Sequence, residues 1–505
     1  MAESEAEGRA RSASDDASVE DGGEVVVVSN RQPYRHEWRD GEIAVDRPTG
    51  GLTAGLDAVV RRIDGSWIAW GDGDADREVV DEDDCVAVPP DADDQYPLRR
   101  VWLTDDQVDG YYYGFSNRVL WPVCHGALTR VAEDSGAWDA YRGVNERFAD
   151  AVAERTGPGD VVWLQDYHFG LVPRLLRSRL PDDVVVTQFW HIPWPGWDTF
   201  RACPHGEELL RGLLGNDLLV VHVDRYRQNF LDCVAAALPE ATVDRDSGRV
   251  RHADGVTTVE AYPLGVDTER IAEHALSPAA SERWDRLRSQ YDLGDDVRLA
   301  VGVDRLDYTK GITERVDAVE RLLERHPELR GEFTLLQVGS ESRSRIPAYR
   351  EVQTDVVEAV TRVNGRFRTD DWRPVVYTTD RLTDEELYTL FHNADLGVVS
   401  PIRDGMNLVA QEYVAAQAGG DGVLVLSRQA GVHDLVGDSA VSITPQDTDG
   451  FADGLYEALT MPEAERRERM AALVRRCRAC DTEAWIDDVL GRVEHLRGDG
   501  VPERP

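Results

Sequence analysis

The chain has 505 residues, 42% of them hydrophobic, and its 95 acidic against 56 basic side chains give a formal charge of −39. The length exceeds one ordinary core and calls for two domains or three, while the charge excludes a duplex nucleic acid or an anionic membrane surface as partner. Abundant carboxylates with a single lysine, Lys310, among the 56 basic residues point to a halophile's cytoplasm of molar salt, where the Debye length falls to about 3 Å and self-repulsion is screened.

The opening stretch, MAESEAEGRARSASDDASVEDGGE, lacks the apolar segment of a signal peptide, and residues 1–23 are expected to form a disordered acidic tail. No later run reaches membrane-spanning length. Order begins at VVVVSNRQP, a continuous apolar run that predicts a buried parallel strand opening at its carboxyl end onto Ser29, Asn30 and Arg31. In TGGLTAGL, Gly50 and Gly51 start a helical pattern where bare backbone N–H groups can approach a phosphate, and nearby Arg31 favours an anion site there. Asp72, Asp74 and Asp76 have the D-x-D spacing of metal-bound nucleotide sugars, but a chain this rich in aspartate produces such spacing by chance.

Further strands are read at DVVWLQDYH, DVVVTQFWHIP, LLVVH and VTTVEAYPLGVD, with a helix at WDAYRGVNERFADAVAERTG. Asp166, His168 and His191 fall at strand ends, and His168 reads as an ordinary hydrogen-bonded loop residue. Tyr112 and Trp121, in YYYGFSNRVLWP, add flat apolar faces to those polar groups, a combination that suits a polyhydroxyl ligand. The alternation restarts after Tyr262-Pro263 with VRLAVGVDR, FTLLQVGS, RPVVYTTD, DLGVVSP and GVLVLS. Two doubly wound α/β, Rossmann-like halves with a hinge at 261–270 account for this pattern.

Ligands of open α/β sheets bind beyond the carboxyl ends of the strands, which selects GVDRLDYTKG, GSESR and SPIRDGMN in the second half. PIRDGMNLVAQEYVAAQ predicts a turn at Asp404-Gly405 and then a helix whose free N–H groups suit a diphosphate. Glu412 lies a little over two turns along, placed for a bidentate grip on ribose hydroxyls. Arg305, Lys310 and Arg343 arrive from other strand ends as local cations. The six cysteines, Cys85, Cys124, Cys203, Cys233, Cys477 and Cys480, read as reduced thiols, since the Cys477–Cys480 pair lacks the partners of a zinc set.

SNR, GGL, YYYGFSNRVLWP, DYH, HIPWP, RLDYTKG and RDGMNLVAQEYVAAQ resemble, from about residue 25 to 490, the retaining trehalose-6-phosphate synthases. The resemblance implies a GT-B glycosyltransferase fold. Its parts would be an acceptor domain at 24–262, a nucleotide-sugar donor domain at 263–480 and a C-terminal helix in 481–505 packing back on the first domain. It implies transfer of glucose with retention from a nucleotide-glucose, usually UDP-glucose, to glucose 6-phosphate. Arg31, Tyr112, Trp121, Asp166 and Arg343 would then hold the acceptor. Gly51, His191, Arg305, Lys310, Asp404, Gly405, Met406, Asn407, Leu408, Val409 and Glu412 would hold the donor. Asp166, His191, Arg305, Lys310 and Asp404 would surround the reacting atoms.

The family's front-face attack, with the leaving phosphate as base, needs no enzyme nucleophile, metal or cofactor. Departures are Gln411, where the family commonly has lysine, the strand end GSESR, and Trp190 and Trp194 thickening the His191 loop. With no phosphatase domain in the sequence, a separate trehalose-6-phosphate phosphatase is expected, and a homo-oligomer is allowed. Two rivals share these motifs: a sister synthase using glycerol 3-phosphate, and a silent sugar-phosphate sensor. Intact Arg305, Lys310, Asp404 and Glu412 favour an enzyme over the sensor.

Overall fold

A computed structural model describes residues 23–47, 51–63, 65–90, 92–253, 255–294 and 296–498. The expected tail, apart from Gly23, and Gly50 therefore lie outside the described residues. The first half contains β1 (Val25–Ser29), β2 (Arg35–Arg39), β3 (Glu42–Asp46), β4 (Ser66–Trp70), β5 (Cys85–Val88) and β6 (Tyr96–Val101). It continues with β7 (Val161–Gln165), β8 (Val185–Trp190), β9 (Leu218–Val221), β10 (Thr242–Asp244), β11 (Arg249–His252) and β12 (Gly255–Ala261). Apart from the β2–β3 hairpin these strands form one ten-stranded sheet in the order β10-β11-β12-β9-β8-β7-β1-β4-β6-β5. The apolar runs of β1, β7, β8 and β9 are buried throughout, as parallel strands covered on both faces require.

The second half contains β13 (Arg298–Arg305), β14 (Phe333–Ser340), β15 (Val375–Thr378), β16 (Leu396–Val399), β17 (Val423–Ser427) and β18 (Val441–Ile443), in the order β15-β14-β13-β16-β17-β18. Every pair in this sheet is parallel. In both sheets the winding reverses at one point, between β1 and β7 in the first and between β13 and β16 in the second. Strands that leave a sheet in opposite directions open a crevice at their carboxyl ends, where ligands bind. The β13 and β16 pairing covers only Ala300 with Leu396 and Val301 with Gly397, so their ends diverge early.

Buried Arg315 braces that second crevice from below, donating to Asp304 at 2.8 Å, Gln337 at 2.6 Å and Ser400 at 3.1 Å. It thereby ties β13, β14 and the end of β16 together. Above it, Ile402 donates to the Thr309 carbonyl at 2.7 Å. Gly311 has a φ of +64°, and a Cβ there would lie 2.1 Å from the Ser400 carbonyl oxygen, so only glycine permits the two loops to touch.

The C-terminal helix Thr482–Gly498 crosses back to the first half. Trp485 lies 5.2 Å from the rings of both Trp163 and Phe189, and Ile486, Val489 and Val493 join the same cluster beneath β1. At the crossing, a Cβ on Gly265 would stand 1.7 Å from the Cys480 carbonyl oxygen, and the Thr482 hydroxyl donates to the Gly265 carbonyl at 3.1 Å. The aspartates of the D-x-D stretch have structural partners. Asp76 is buried against Arg100 at 3.0 Å and accepts from the His36 N–H at 2.8 Å, Asp72 accepts from Gln32 at 2.8 Å, and Asp74 caps the Trp38 N–H at 2.9 Å. Together they anchor the β2–β3 hairpin. Among the described residues no helix is long and apolar enough to cross a membrane.

Candidate active site

The loops after β1 and β7 carry Arg31 and Asp166, and those after β13, β14 and β16 carry Lys310, Arg343 and Asp404–Asn407. Both crevices therefore contribute to one cleft. Three of these residues adopt the left-handed region that side chains avoid: Asp166 at φ +75°, Arg343 at +48° and Asn407 at +86°. Such strain persists where the surroundings over-determine it, which is characteristic of functional loops.

One cluster gathers around Tyr112. This residue lies on a widened helix, Asp109–Leu120, that runs into the short helix Trp121–Cys124. Arg31 of the first half and Arg343 of the second both bring their charge to bear on the Tyr112 hydroxyl. Burial pushes that phenol up, but the Arg343 and Arg31 charges prevail and bring it down to about 8. Arg343 is buried, with its guanidinium 4.0 Å above the Trp121 ring. It also donates to Tyr349 at 2.6 Å and Tyr167 at 3.2 Å and faces Asp307 at 3.6 Å. Arg305 lies over the same indole at 5.7 Å. Two guanidiniums from opposite halves, one locked and one exposed, make a pocket for a doubly charged oxyanion.

A second cluster joins Lys310 to Asp404 at 2.5 Å, with Asn407 donating to the same carboxylate oxygen at 3.0 Å. Burial would raise the Asp404 carboxyl, but Lys310 and the Asn407 amide outweigh it and hold it down at about 2. Asn407 also caps the helix Leu408–Ala416 by accepting from the Ala410 N–H at 3.1 Å. The capped helix starts at Leu408 and Val409, whose N–H groups have no acceptor within the helix. The sequence reading placed Lys310 and Asp404 together at the donor, and here each is also the other's partner. Met406 is buried behind the turn. A Cβ on Gly405 would lie 2.1 Å from the His191 carbonyl oxygen, so this glycine lets backbone from the two halves meet.

Asp166 and His191 form the third group. The His191 N–H donates to Asp166 at 3.3 Å, and the His191 ring shares a 2.8 Å hydrogen bond with Gln165. Burial lifts the Asp166 carboxyl to about 7 against the pull of the Tyr167 and His191 N–H groups. Burial, reinforced by His222, keeps His191 neutral, well below its usual range.

Glu412 stands apart from these groups, and its carboxylate makes no hydrogen bond among the described residues. Burial, with Asp384 adding repulsion, lifts it to about 7. Gly51 opens the helix Gly51–Arg62. Gln411 is buried and donates to the Leu264 carbonyl at 3.0 Å, tying the Leu408–Ala416 helix to the hinge. Trp190 and Trp194, expected to thicken the His191 loop, are both fully buried, 4.9 Å apart, with Trp194 packed on Phe200 and Phe230. Apolar rings of that size gain more from the core than from a wet loop.

Sequence reading missed Asp307, Tyr167, Tyr349 and His125. Asp307 and Tyr167 sit inside quoted motifs, RLDYTKG and QDYH, and their position there was signal enough. Tyr349 lies on the helix Pro347–Phe367 at a position that reads as core, so only the fold reveals it.

The model of Glycosyltransferase family 20 matches residues 23–495. The trehalose-6-phosphate synthase of Mycobacterium marinum is 37% identical over 481 residues, 94% of each chain. The UDP-forming α,α-trehalose-phosphate synthase of Schizosaccharomyces pombe is 32% identical, covering 94% of this chain and 91% of its own length. An E. coli structure bound with UDP-2-fluoro glucose superposes with a TM-score of 0.83 at 32% identity, covering 94% of this chain and 99% of that one. A UDP-forming synthase from Burkholderia xenovorans in complex with glucose-6-phosphate gives 0.82 at 30% identity, over 94% of this chain and all of that one. With two facing Rossmann-like sheets, a cleft between them and a family match along nearly its whole length, the chain belongs to glycosyltransferase family 20 and has the GT-B fold.

Proposed function

We propose that the protein is an α,α-trehalose-6-phosphate synthase that transfers glucose, with retention, from UDP-glucose to glucose 6-phosphate. The observation that carries this reading is the convergence of Arg31 and Arg343 on Tyr112 beside the Trp121 face. That site has cations for a phosphate, the largely buried Trp121 indole beside them and a cleft leading to Lys310. Its relatives, complexes with a UDP-glucose analogue and with glucose-6-phosphate among them, support both substrates.

In this reading the first half, 24–262, binds the acceptor, and the second, 263–480, binds the donor. The donor diphosphate rests on the N–H groups of Leu408 and Val409. Lys310, shared with Asp404, neutralises charge building on the leaving phosphate, a contribution that grows towards the transition state. Arg305 adds a second cation, and Glu412 holds the ribose. Asp166 and His191 contact the reacting sugars, with His191 neutral and therefore free of charge repulsion towards Lys310 and Arg305. The enzyme works in a salt-rich cytoplasm, and a separate phosphatase consumes its product.

The test is incubation of the purified protein with UDP-, GDP- or ADP-glucose and either glucose 6-phosphate or glycerol 3-phosphate, in low and molar potassium chloride. Trehalose 6-phosphate from the UDP-glucose pair is expected. A glucosylglycerol phosphate in its place would establish the sister activity, and no product from any pair would overturn the reading.

A further inference from the structure

His125 lies four residues after Trp121, at the end of the short helix Trp121–Cys124. It is buried and stacks on the Trp121 ring at 4.1 Å and 28°. Its Nδ1 is 2.8 Å from the Trp121 carbonyl oxygen. A carbonyl only accepts, so Nδ1 carries the hydrogen and Nε2 of the neutral ring carries the lone pair. That nitrogen has no hydrogen-bond partner among the described residues, and unlike both ring nitrogens of His168 it is not sealed from solvent. Burial brings the ring down to about 4, although Asp307 and the Trp121 carbonyl oppose this, so it stays neutral at working pH. The groups within its electrostatic reach, Asp307, Asp404 and Lys310, all belong to the opposite half of the molecule.

The surrounding cleft is rich in donors. Arg31, Arg343, Arg305, Lys310 and the first N–H groups of the Leu408–Ala416 helix only donate. Lys310 and Asn407 both occupy Oδ2 of Asp404. A sugar hydroxyl can accept from those donors only if its own hydrogen also finds an acceptor. More carboxylates would repel phosphorylated substrates, whereas an imidazole of fixed tautomer supplies a lone pair without charge.

We propose that His125 is a substrate-binding residue whose Nε2 accepts a hydrogen bond from one hydroxyl of the hexose phosphate lying against Trp121. This rests on the reading of the acceptor above and adds a hydroxyl-selecting contact to it. A site built to pair a hydroxyl rejects the analogue lacking it, by about tenfold or more for a neutral pair.

The experiment is a cycle between protein and substrate. kcat/KM is measured for glucose 6-phosphate and its 2-, 3- and 4-deoxy analogues with the wild type, His125→Phe and His125→Gln. Calorimetric binding in the presence of UDP replaces turnover where turnover is lost. One analogue should lose about tenfold or more in the wild type, that penalty should fall to within about twofold in His125→Phe, and His125→Gln, with an amide oxygen near the Nε2 position, should restore part of it. If every analogue keeps its wild-type penalty in His125→Phe, the histidine only supports Trp121 and the proposal fails. Should His125→Phe not fold, His125→Ala closes the same cycle, and collapse of both variants would assign the residue to the scaffold and overturn the proposal. Absence of product from the wild type with every donor would instead fail the reading of function.

Discussion

The two cation sites of the cleft are built differently. Lys310, Asp404 and Asn407 come from two loops of the second half, stapled by Ile402, Gly311 and the Arg315 brace, and they are paired with one another. Arg31 and Arg343 come from opposite halves and both act on the Tyr112 hydroxyl. The first site is complete within one half. The second is complete only while the halves face each other, so it can report closure, and the loss of one residue should separate acceptor handling from donor handling.

Arg343→Ala is the strongest way to sharpen that contrast. It removes a buried charge with four partners, and acceptor kcat/KM should fall by roughly 2 to 5 kcal/mol while UDP-glucose affinity changes little. Parallel losses for both substrates in steady-state kinetics would show that the two sites are not separable. Lys310→Arg comes next. A planar guanidinium cannot occupy the narrow place of an ammonium 2.5 Å from Asp404, so kcat should drop by roughly 10²-fold with the melting temperature nearly unchanged. A folded variant with wild-type kcat would remove the chemical reason for the chain's one lysine.

Tyr112→Phe should have a smaller effect, and its pH dependence carries the information. Below about pH 8 the phenol is neutral; above it, the phenolate occupies the anion pocket and cancels charge on Arg31 and Arg343. Acceptor KM in the wild type should therefore rise several-fold as pH passes upward through about 8, and Tyr112→Phe should lose that inflection. An identical profile in both proteins would detach Tyr112 from the acceptor. The smallest effect concerns the whole surface. With a formal charge of −39, the melting temperature should rise by several degrees between low and molar potassium chloride as carboxylate repulsion is screened. Equal melting points would leave the charge without a stabilising role for salt.

Much of this architecture can be read from local pattern. VVVV before SNR and LGVV before SPIRDG are buried strands followed by polar turns, and the order of such units implies parallel sheets whose ligands lie at one end. What lies in the loops is legible only as residue type. Lys310 and Asp404 are 94 positions apart, and no periodicity reveals that they pair. Tyr349 looks like one more apolar helix position until the fold turns its hydroxyl onto Arg343. Trp190 and Trp194 were legible only as bulk added to the His191 loop, and that both rings enter the core follows from the larger gain of burial. Nothing in the sequence around His125 shows which ring nitrogen keeps a lone pair, because that depends on the turn that presents Nδ1 to the Trp121 carbonyl.

The polypeptide passes between the halves twice, near Gly265 and near Cys480, and the close approach of those passages at a residue without a side chain has a mechanical consequence. Because these two tethers touch, the two halves share one pivot in place of two separate anchors. Displacement of one half against the other is smallest beside that pivot and grows with distance from it. The Leu408–Ala416 helix, tied by Gln411 to the carbonyl of Leu264 next to Gly265, therefore starts from the point of least movement.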